Sequence, residues 1–284
     1  MIGNIKYINS LGGIVEFDCG TGIIISKSSG MTENHVKLST SQGFNQIGET
    51  VQRTLVQGKP IVFDGAIVGD ATERAALMLN TFIPGMLGKL IYNDEWEIDV
   101  STIQTPYIEQ YVYNPRFQIE LRAPYPNWSN MEETVTSLTG IEPMFSFPWD
   151  LTQPYIFGKR IERQFTNVHN SGNVDIPYTV IFTATSDGVT NPKITNAETY
   201  EYLQVKRTMS YGETITVTVK QDELLVLSRT GDLTTDVIGW FDIRSDLYRL
   251  HPGDNIIAHD ADSGKDYLDI TILSRTERGW MRIR

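Results

Sequence analysis

Asp94, Glu95, Glu97 and Asp99 are the residues whose type and spacing most invite a catalytic reading, because glycoside hydrolysis needs two carboxyl groups flanking one sugar bond. Glu97 and Asp99, however, alternate with Trp96, Ile98 and Val100. A period of two puts both carboxylates on the solvated face of a strand. Asp260, Asp262 and Asp266 form a second acidic group, and alternate carboxylates of this kind can converge on a cation. Gly264 comes one place early for a calcium loop, and Thr271 stands where the closing glutamate belongs. These three aspartates are the candidate metal site, and the simpler reading of the stretch is a hairpin with Ser263-Gly264 at its turn.

Other chemistry is less well supplied. His35, His169, His251 and His259 sit in separate segments with no histidine or cysteine at a metal-ligand spacing, and they read as surface strand or turn positions. Cys19 is the single cysteine, which excludes an internal disulfide and reads as a small core residue. Gly85 to Lys89 lacks both the spacer and the Ser or Thr of a phosphate loop, since Leu90 follows the lysine. No Gly-x-Ser-x-Gly elbow is present. Asn127-Trp128-Ser129 fits a glycosylation acceptor, a coincidence where no secretion signal precedes it. The expectation is a protein with no catalytic residue and no cofactor.

Composition narrows the partners. The 284 residues carry 24 Lys and Arg against 35 Asp and Glu, a net charge of −11 that opposes stable nucleic-acid binding. No run approaches eighteen apolar residues, and Met1-Ile2-Gly3-Asn4 lacks the basic flank of a signal peptide. Neither membrane insertion nor conventional export is expected, and a lone cysteine suits synthesis in a reducing cytosol.

The elements that must position these residues are mostly strands. Gly12-Gly13 and Gly20-Thr21-Gly22 punctuate short apolar runs, while Thr54 to Phe63 and Phe117 to Leu121 read as further strands. Asp70 to Glu73 form a capping box before Ala75, Leu79 and Phe82, and Pro84-Gly85 stops the element, so a helix is expected over 71–82. Pro124, Pro126, Pro143, Pro148 and Pro154, with the aromatics Phe145, Phe147, Trp149, Tyr155 and Phe157, mark a junction at 131–155 between domains spanning 1–130 and 156–284. Beyond it, Ile215, Val217 and Val219 alternate with Thr214, Thr216 and Thr218. Similar runs end with Trp280 to Ile283, and their turns are spaced as a two-sheet sandwich requires.

Arranged in order, the turn motifs resemble those of the siphophage distal tail (Dit) family. In the first domain these are Arg53 to Gly65, Glu73-Arg74, Pro84-Gly85, Gly88 to Tyr92, and Ala123 to Trp128. In the second they are Asn167 to Val174, Asn191-Pro192 through Asn196, Gly212-Glu213-Thr214, and Leu250 to Asn255 with Pro252-Gly253. The resemblance implies a mainly β protein, with an N-terminal β-barrel-like domain carrying one short helix and a C-terminal galectin-like antiparallel β-sandwich. It further implies a structural virion protein of the tail tip, made in the host cytoplasm, whose homo-hexameric ring joins the tail tube to the baseplate. The partners implied are the tail tube protein, the tape measure protein, and a tail-associated lysin or a tail fibre or receptor-binding protein. Two other readings stay open. One is a carbohydrate-binding module for cell-wall glycan, stacking sugars on Trp240, Tyr248 or Trp280. The other is a wall hydrolase using the carboxylates near 94–99.

Overall fold

The computed structural model describes residues 4–110, 113–143, 158–162, 165–220 and 223–281. The aromatic stretch from Phe145 to Phe157 lies outside them. Two compact units are present, Met1–Glu132 with Glu277–Arg284, and Glu133–Thr276. The change of unit at Glu133 places strand Thr134–Ser137 inside the second unit, where a junction was expected. The C-terminal segment returns to the first unit instead of closing the sandwich.

The first unit is a curled antiparallel sheet with a helix against it and a separate two-stranded ribbon. Its strands are β1 (Ile5–Asn9), β2 (Ile14–Phe17), β3 (Ile23–Ser29), β4 (Val36–Ser41), β5 (Thr50–Val56) and β6 (Lys59–Ile67), followed by α1 (Ala71–Thr81). Then come β7 (Leu87–Tyr92), β8 (Trp96–Thr102), β9 (Tyr107–Ile108), β10 (Arg116–Ala123) and β11 (Trp128–Asn130). The main path runs β2-β1-β7-β8-β10-β6-β3, and an isolated Asp18–Ile23 bridge brings β3 back beside β2, so the sheet bends towards closure. Thr54 to Phe63, read as one strand, is two: Gln57-Gly58 separates β5 from β6, and β4 with β5 forms a ribbon of its own.

Asp70 caps α1 by accepting from the Glu73 amide, as the capping box predicts. The buried stripe differs from the expected one. Ala71, Ala75, Met78 and Phe82 meet the core, whereas Leu79 is exposed. Positions four, seven and eleven beyond Ala71 fall on one helical face, and Leu79 is turned off it. Phe82 stacks on Tyr7 at 4.2 Å between ring centroids, which fixes the helix against β1.

A buried carboxylate anchors the returning C-terminal segment. The strand Glu277–Arg278 pairs with β11, and Glu277 accepts from the hydroxyl of Tyr125, from Asn127 Nδ2 at 3.3 Å and from Ser129 Oγ at 3.4 Å. Trp280 and Met281, expected to begin the last sandwich strand, belong to the first unit, and Arg282 and Ile283 lie outside the described residues. Substituting Glu277→Ala removes the carboxylate on which these three bonds converge. The expected loss is about 2–3 kcal/mol in denaturant unfolding of the first unit, against less than about 1 kcal/mol for Glu277→Gln.

The second unit is a two-sheet sandwich. It comprises β12 (Thr134–Ser137), β13 (Thr139–Pro143), β14 (Gly158–Glu162), β15 (Phe165–Asn170), β16 (Tyr178–Ala184), β17 (Val189–Thr190), β18 (Lys193–Asn196) and β19 (Tyr202–Gln204). It continues with β20 (Thr208–Met209), β21 (Thr214–Val219), β22 (Leu224–Thr230), β23 (Leu233–Asp236), β24 (Gly253–Asp260) and β25 (Leu268–Ser274). A six-stranded sheet runs β12-β25-β16-β21-β22-β23, and a four-stranded sheet runs β15-β24-β18-β19. Val180, Phe182, Ile215, Val217 and Ile270 from the first meet Val168, Ile194, Leu203 and Ile257 from the second in one core. The alternation read from Thr214 to Val219 is strand β21, with its valines and isoleucine inward. The acidic turn is not a hairpin: β24 and β25 belong to different sheets, and the segment between them crosses from one to the other.

Candidate functional site

The carboxylates near 94–99 do not assemble a catalytic pair. Asn93 and Asp94 both take positive φ and turn β7 into β8, where Glu97 lies beside Lys89 at 3.0 Å and Asp99 faces solvent. They are the outer face of a hairpin, as the alternation predicts.

Among the described residues no group of three histidine, cysteine or acidic side chains could hold a metal ion. Asp262 Oδ2 accepts from Asn191 Nδ2 at 2.6 Å, Asp260 Oδ1 from the Ala261 amide at 2.9 Å, and Asp266 sits in a short 3-10 turn. Gly264 takes a φ of +71° there, with the Gly188 carbonyl too close for a side chain. These aspartates therefore shape the crossover segment.

The histidines stay apart. His35 lies 3.9 Å from Glu33, His169 bonds to Asp254 at 2.7 Å, and His251 bonds to Asp175 at 2.9 Å. His259 differs from the surface expectation: its place on β24 turns it inward, and it is buried. Cys19 is likewise not a core residue but exposed, in the turn between β2 and β3.

The residues carrying the family resemblance are backbone devices. Gly65, in the middle of β6, and Gly88, in β7, are crossed closely by the rings of Phe117 and Tyr7. Gly85, Gly212 and Gly253 take positive φ at turns, as does Asn191. Asn196 is buried and accepts from the amides of Glu198 and Thr199, while Pro192 presents its carbonyl to the Val205 amide and Pro252 lies exposed beside Gly253. Arg74 reaches back to the Val68 carbonyl, and Glu73 supplies the capped amide.

What the first unit does expose is an apolar ribbon and a cleft of mixed lining. Every residue of β4 and β5 is exposed. Directly opposed residues share a face, so the register puts Val36, Val56, Leu38, Thr54, Thr40 and Val51 on one side. Lys37, Leu55, Ser39, Arg53, Ser41 and Thr50 make up the other. Phe44 and Ile47 stand fully exposed in the connecting loop. The cleft, of about 670 Å³ on the flank of α1, is lined by Ile14, Ile23 and Leu77 with Glu16, Glu73 and Arg74. Reading Thr54 to Phe63 as one strand hides the ribbon, although Val36, Leu38 and Thr40 alternate in the sequence.

The aromatics proposed for sugar stacking are differently placed. Tyr248 is buried against Tyr178, Trp240 packs on the core of the second unit with the Arg207 guanidinium 4.4 Å over its ring, and Trp280, half exposed, belongs to the first unit.

Residues 171–272 match the family model described as the siphovirus-type tail component, C-terminal domain. No curated protein matches the sequence. Among solved structures, the fold resembles the Dit protein of phage SPP1, described as a paradigm of the hub adsorption apparatus in phages infecting Gram-positive hosts. The TM-score is 0.68 at 10% identity, covering 96% of this chain and 98% of that one. A chain of the phage P2 baseplate in its activated conformation with Ca gives a TM-score of 0.54 at 9% identity, over 99% of this chain and 100% of that one. The same baseplate with Sr gives 0.51 at 9% identity, with the same coverage. The resemblance drawn from the ordered turn motifs holds, and so does the mainly β fold with one helix.

Proposed function

For a chain that carries a siphovirus-type tail component domain at residues 171–272 on a distal-tail fold, we propose a structural role at the tip of a phage tail, as a hub and not as an enzyme. In this reading the first unit builds a homo-hexameric ring that continues the tail tube. The second unit faces the baseplate, the tape measure protein passes its end at the ring, and a lysin or a receptor-binding protein is anchored below. The virion tail is its location.

The uncovered ribbon β4–β5 carries the reading. A two-stranded ribbon alone is marginal in water, and this one adds an apolar face of Val36, Leu38, Val51 and Val56 that its own chain leaves exposed. The cleft on the flank of α1, where Ile14 and Leu77 are exposed among polar and charged side chains, is a different surface. Two unlike surfaces on one subunit fit head-to-tail association, and a head-to-tail contact that closes makes a ring. The net charge of −11 suits a lumen that DNA must pass without sticking.

Sedimentation and electron microscopy of the purified chain, alone and with the tube protein, test this. Rings are expected. The double variant Leu38→Glu, Val56→Glu should weaken self-association at least about 100-fold while the subunit keeps its far-UV circular dichroism, because two apolar contacts would become buried charges. A chain that stays monomeric at high concentration and beside the tube protein, or a variant that still forms rings, overturns the proposal. Clearing of cell-wall suspensions lost in Glu97→Gln would instead restore the hydrolase reading.

A further inference from the structure

The four-stranded sheet of the second unit has an outer face lined by aromatic and polar side chains. Side chains alternate across each strand, so β15 turns Phe165, Asn167 and His169 outward, and β24 turns Asp254, Ile256 and Ala258 outward. Thr195 and Tyr202 continue the row from β18 and β19. Across the sheet, Phe165 lies opposite Ala258, Ala258 opposite Thr195, and Thr195 opposite Tyr202. Two aromatic side chains thus stand at either side of two small residues, with half-buried Ile256 as neighbouring floor. This is a shallow trough.

One end of the trough is polar and prearranged. Asp254 Oδ1 accepts from Asn167 Nδ2 at 2.8 Å and is bonded to His169 Nδ1 at 2.7 Å. The Asn167 side-chain oxygen is itself held by the Asn255 amide at 3.2 Å. Both bonds to the carboxylate fall on the same oxygen, and the side chains of His169 and Asp254 are both exposed. These two hydrogen bonds hold the Asp254 carboxyl below the usual carboxylate range, and it stays an acceptor throughout the neutral range. On the other side of the trough Lys193 Nζ lies 4.6 Å over the Tyr202 ring.

We infer that this face binds a saccharide, with Phe165 and Tyr202 against the apolar faces of sugar rings and Asp254, steadied by Asn167 and His169, accepting from ring hydroxyls. Three strand spacings across and four residues along make a patch of roughly 14 by 13 Å, on the order of 200 Å². That is well below the roughly 800 Å² per partner of a protein interface. Aromatic rings beside fixed polar groups suit a ligand that is apolar on its faces and hydroxylated at its rim. A phosphate-bearing ligand would meet the anionic carboxylate of Asp254 at the polar end.

Saturation-transfer NMR on the full chain with lactose, cellobiose and chitobiose, each at about 10 mM to populate a site of millimolar Kd, tests the inference. At least one disaccharide is expected to show transfer. Phe165→Ala and the near-isosteric Asp254→Asn should each weaken that binding about tenfold or more with unchanged melting temperature, while Asp232→Ala leaves it intact. Absence of transfer from all three sugars, or transfer that survives both substitutions, overturns the inference. It is also overturned if Phe165→Ala blocks assembly with tail proteins while no sugar binds, which would make the face a protein contact. None of these outcomes depends on ring formation, so the hub proposal stands or falls separately.

Discussion

Gly65→Val is expected to unfold the first unit or to lower its melting temperature by roughly 10 °C, the largest effect of any single substitution considered for this unit. A Cβ at Gly65 would lie 2.2 Å from the Ile24 carbonyl oxygen and 2.4 Å from Cζ of Phe117. Neither can retreat. The carbonyl belongs to β3, bonded along β6, and Phe117 is buried beside Phe17 with ring centroids 6.2 Å apart. An aromatic ring lying over a strand glycine fills the space a side chain would take. Overpacking of this kind costs about 3 kcal/mol or more when a backbone must move. Gly239→Ala is the comparison, since nothing lies within 4 Å of its added Cβ and its φ is not positive. It should shift stability by less than about 0.5 kcal/mol. A Gly65→Val protein that melts like the wild type would refute the close packing of β3 and Phe117 on β6.

Stability of the first unit is expected to rise by about 2 kcal/mol between pH 7 and pH 9.5, and Lys59→Met should abolish that rise. Lys59 is fully buried, and among the described residues its ammonium bonds to uncharged oxygens, Asn34 Oδ1 and the Gly279 carbonyl, both at 3.3 Å, with the Trp128 ring 5.9 Å away. Burial pushes its pKa down from 10.5 to about 8. The folded state therefore sheds this proton near pH 8, while the unfolded chain holds it until about pH 10.5. Between those values the unfolded state binds more protons, and stability climbs with pH. Tyr7, whose pKa burial raises, acts in the opposite sense only above about pH 10, so the window up to pH 9.5 isolates the lysine. Urea unfolding of both proteins across that window is the measurement. Parallel pH profiles for wild type and Lys59→Met would show that the ammonium is not desolvated.

Local features were legible because they rest on neighbouring residues. The alternation from Thr214 to Val219 marks a half-buried strand, since a period of two gives one face to the core. Asp70 and Glu73 announce the start of α1 through a bond that spans three residues. Glycine turns at Gly85, Gly212 and Gly253 depend only on a backbone conformation other residues avoid. The helix face was harder to read, because Leu79 looks like a core residue until Met78 and Phe82 are known to take the inward positions.

The candidate sites were less legible for the same reason turned around. The trough joins Phe165, Thr195, Tyr202 and Asp254, which no spacing rule connects, and the ribbon reveals its apolar face only once the register of β4 with β5 is known. The acidic turn misled because adjacent strands usually pair, whereas β24 and β25 diverge into separate sheets.

By itself, then, the sequence determined that this is a β-rich chain with one capped helix, and its ordered turns carry the likeness to distal tail proteins. Only the tertiary structure decided which strands pair, that Glu277 brings the C-terminal segment back to the first unit, and that Lys59 loses its water. Turns and periodicity are set by steric preferences within a few residues. Pairing and burial are set by partners such as Gly279, which lies 220 positions from Lys59.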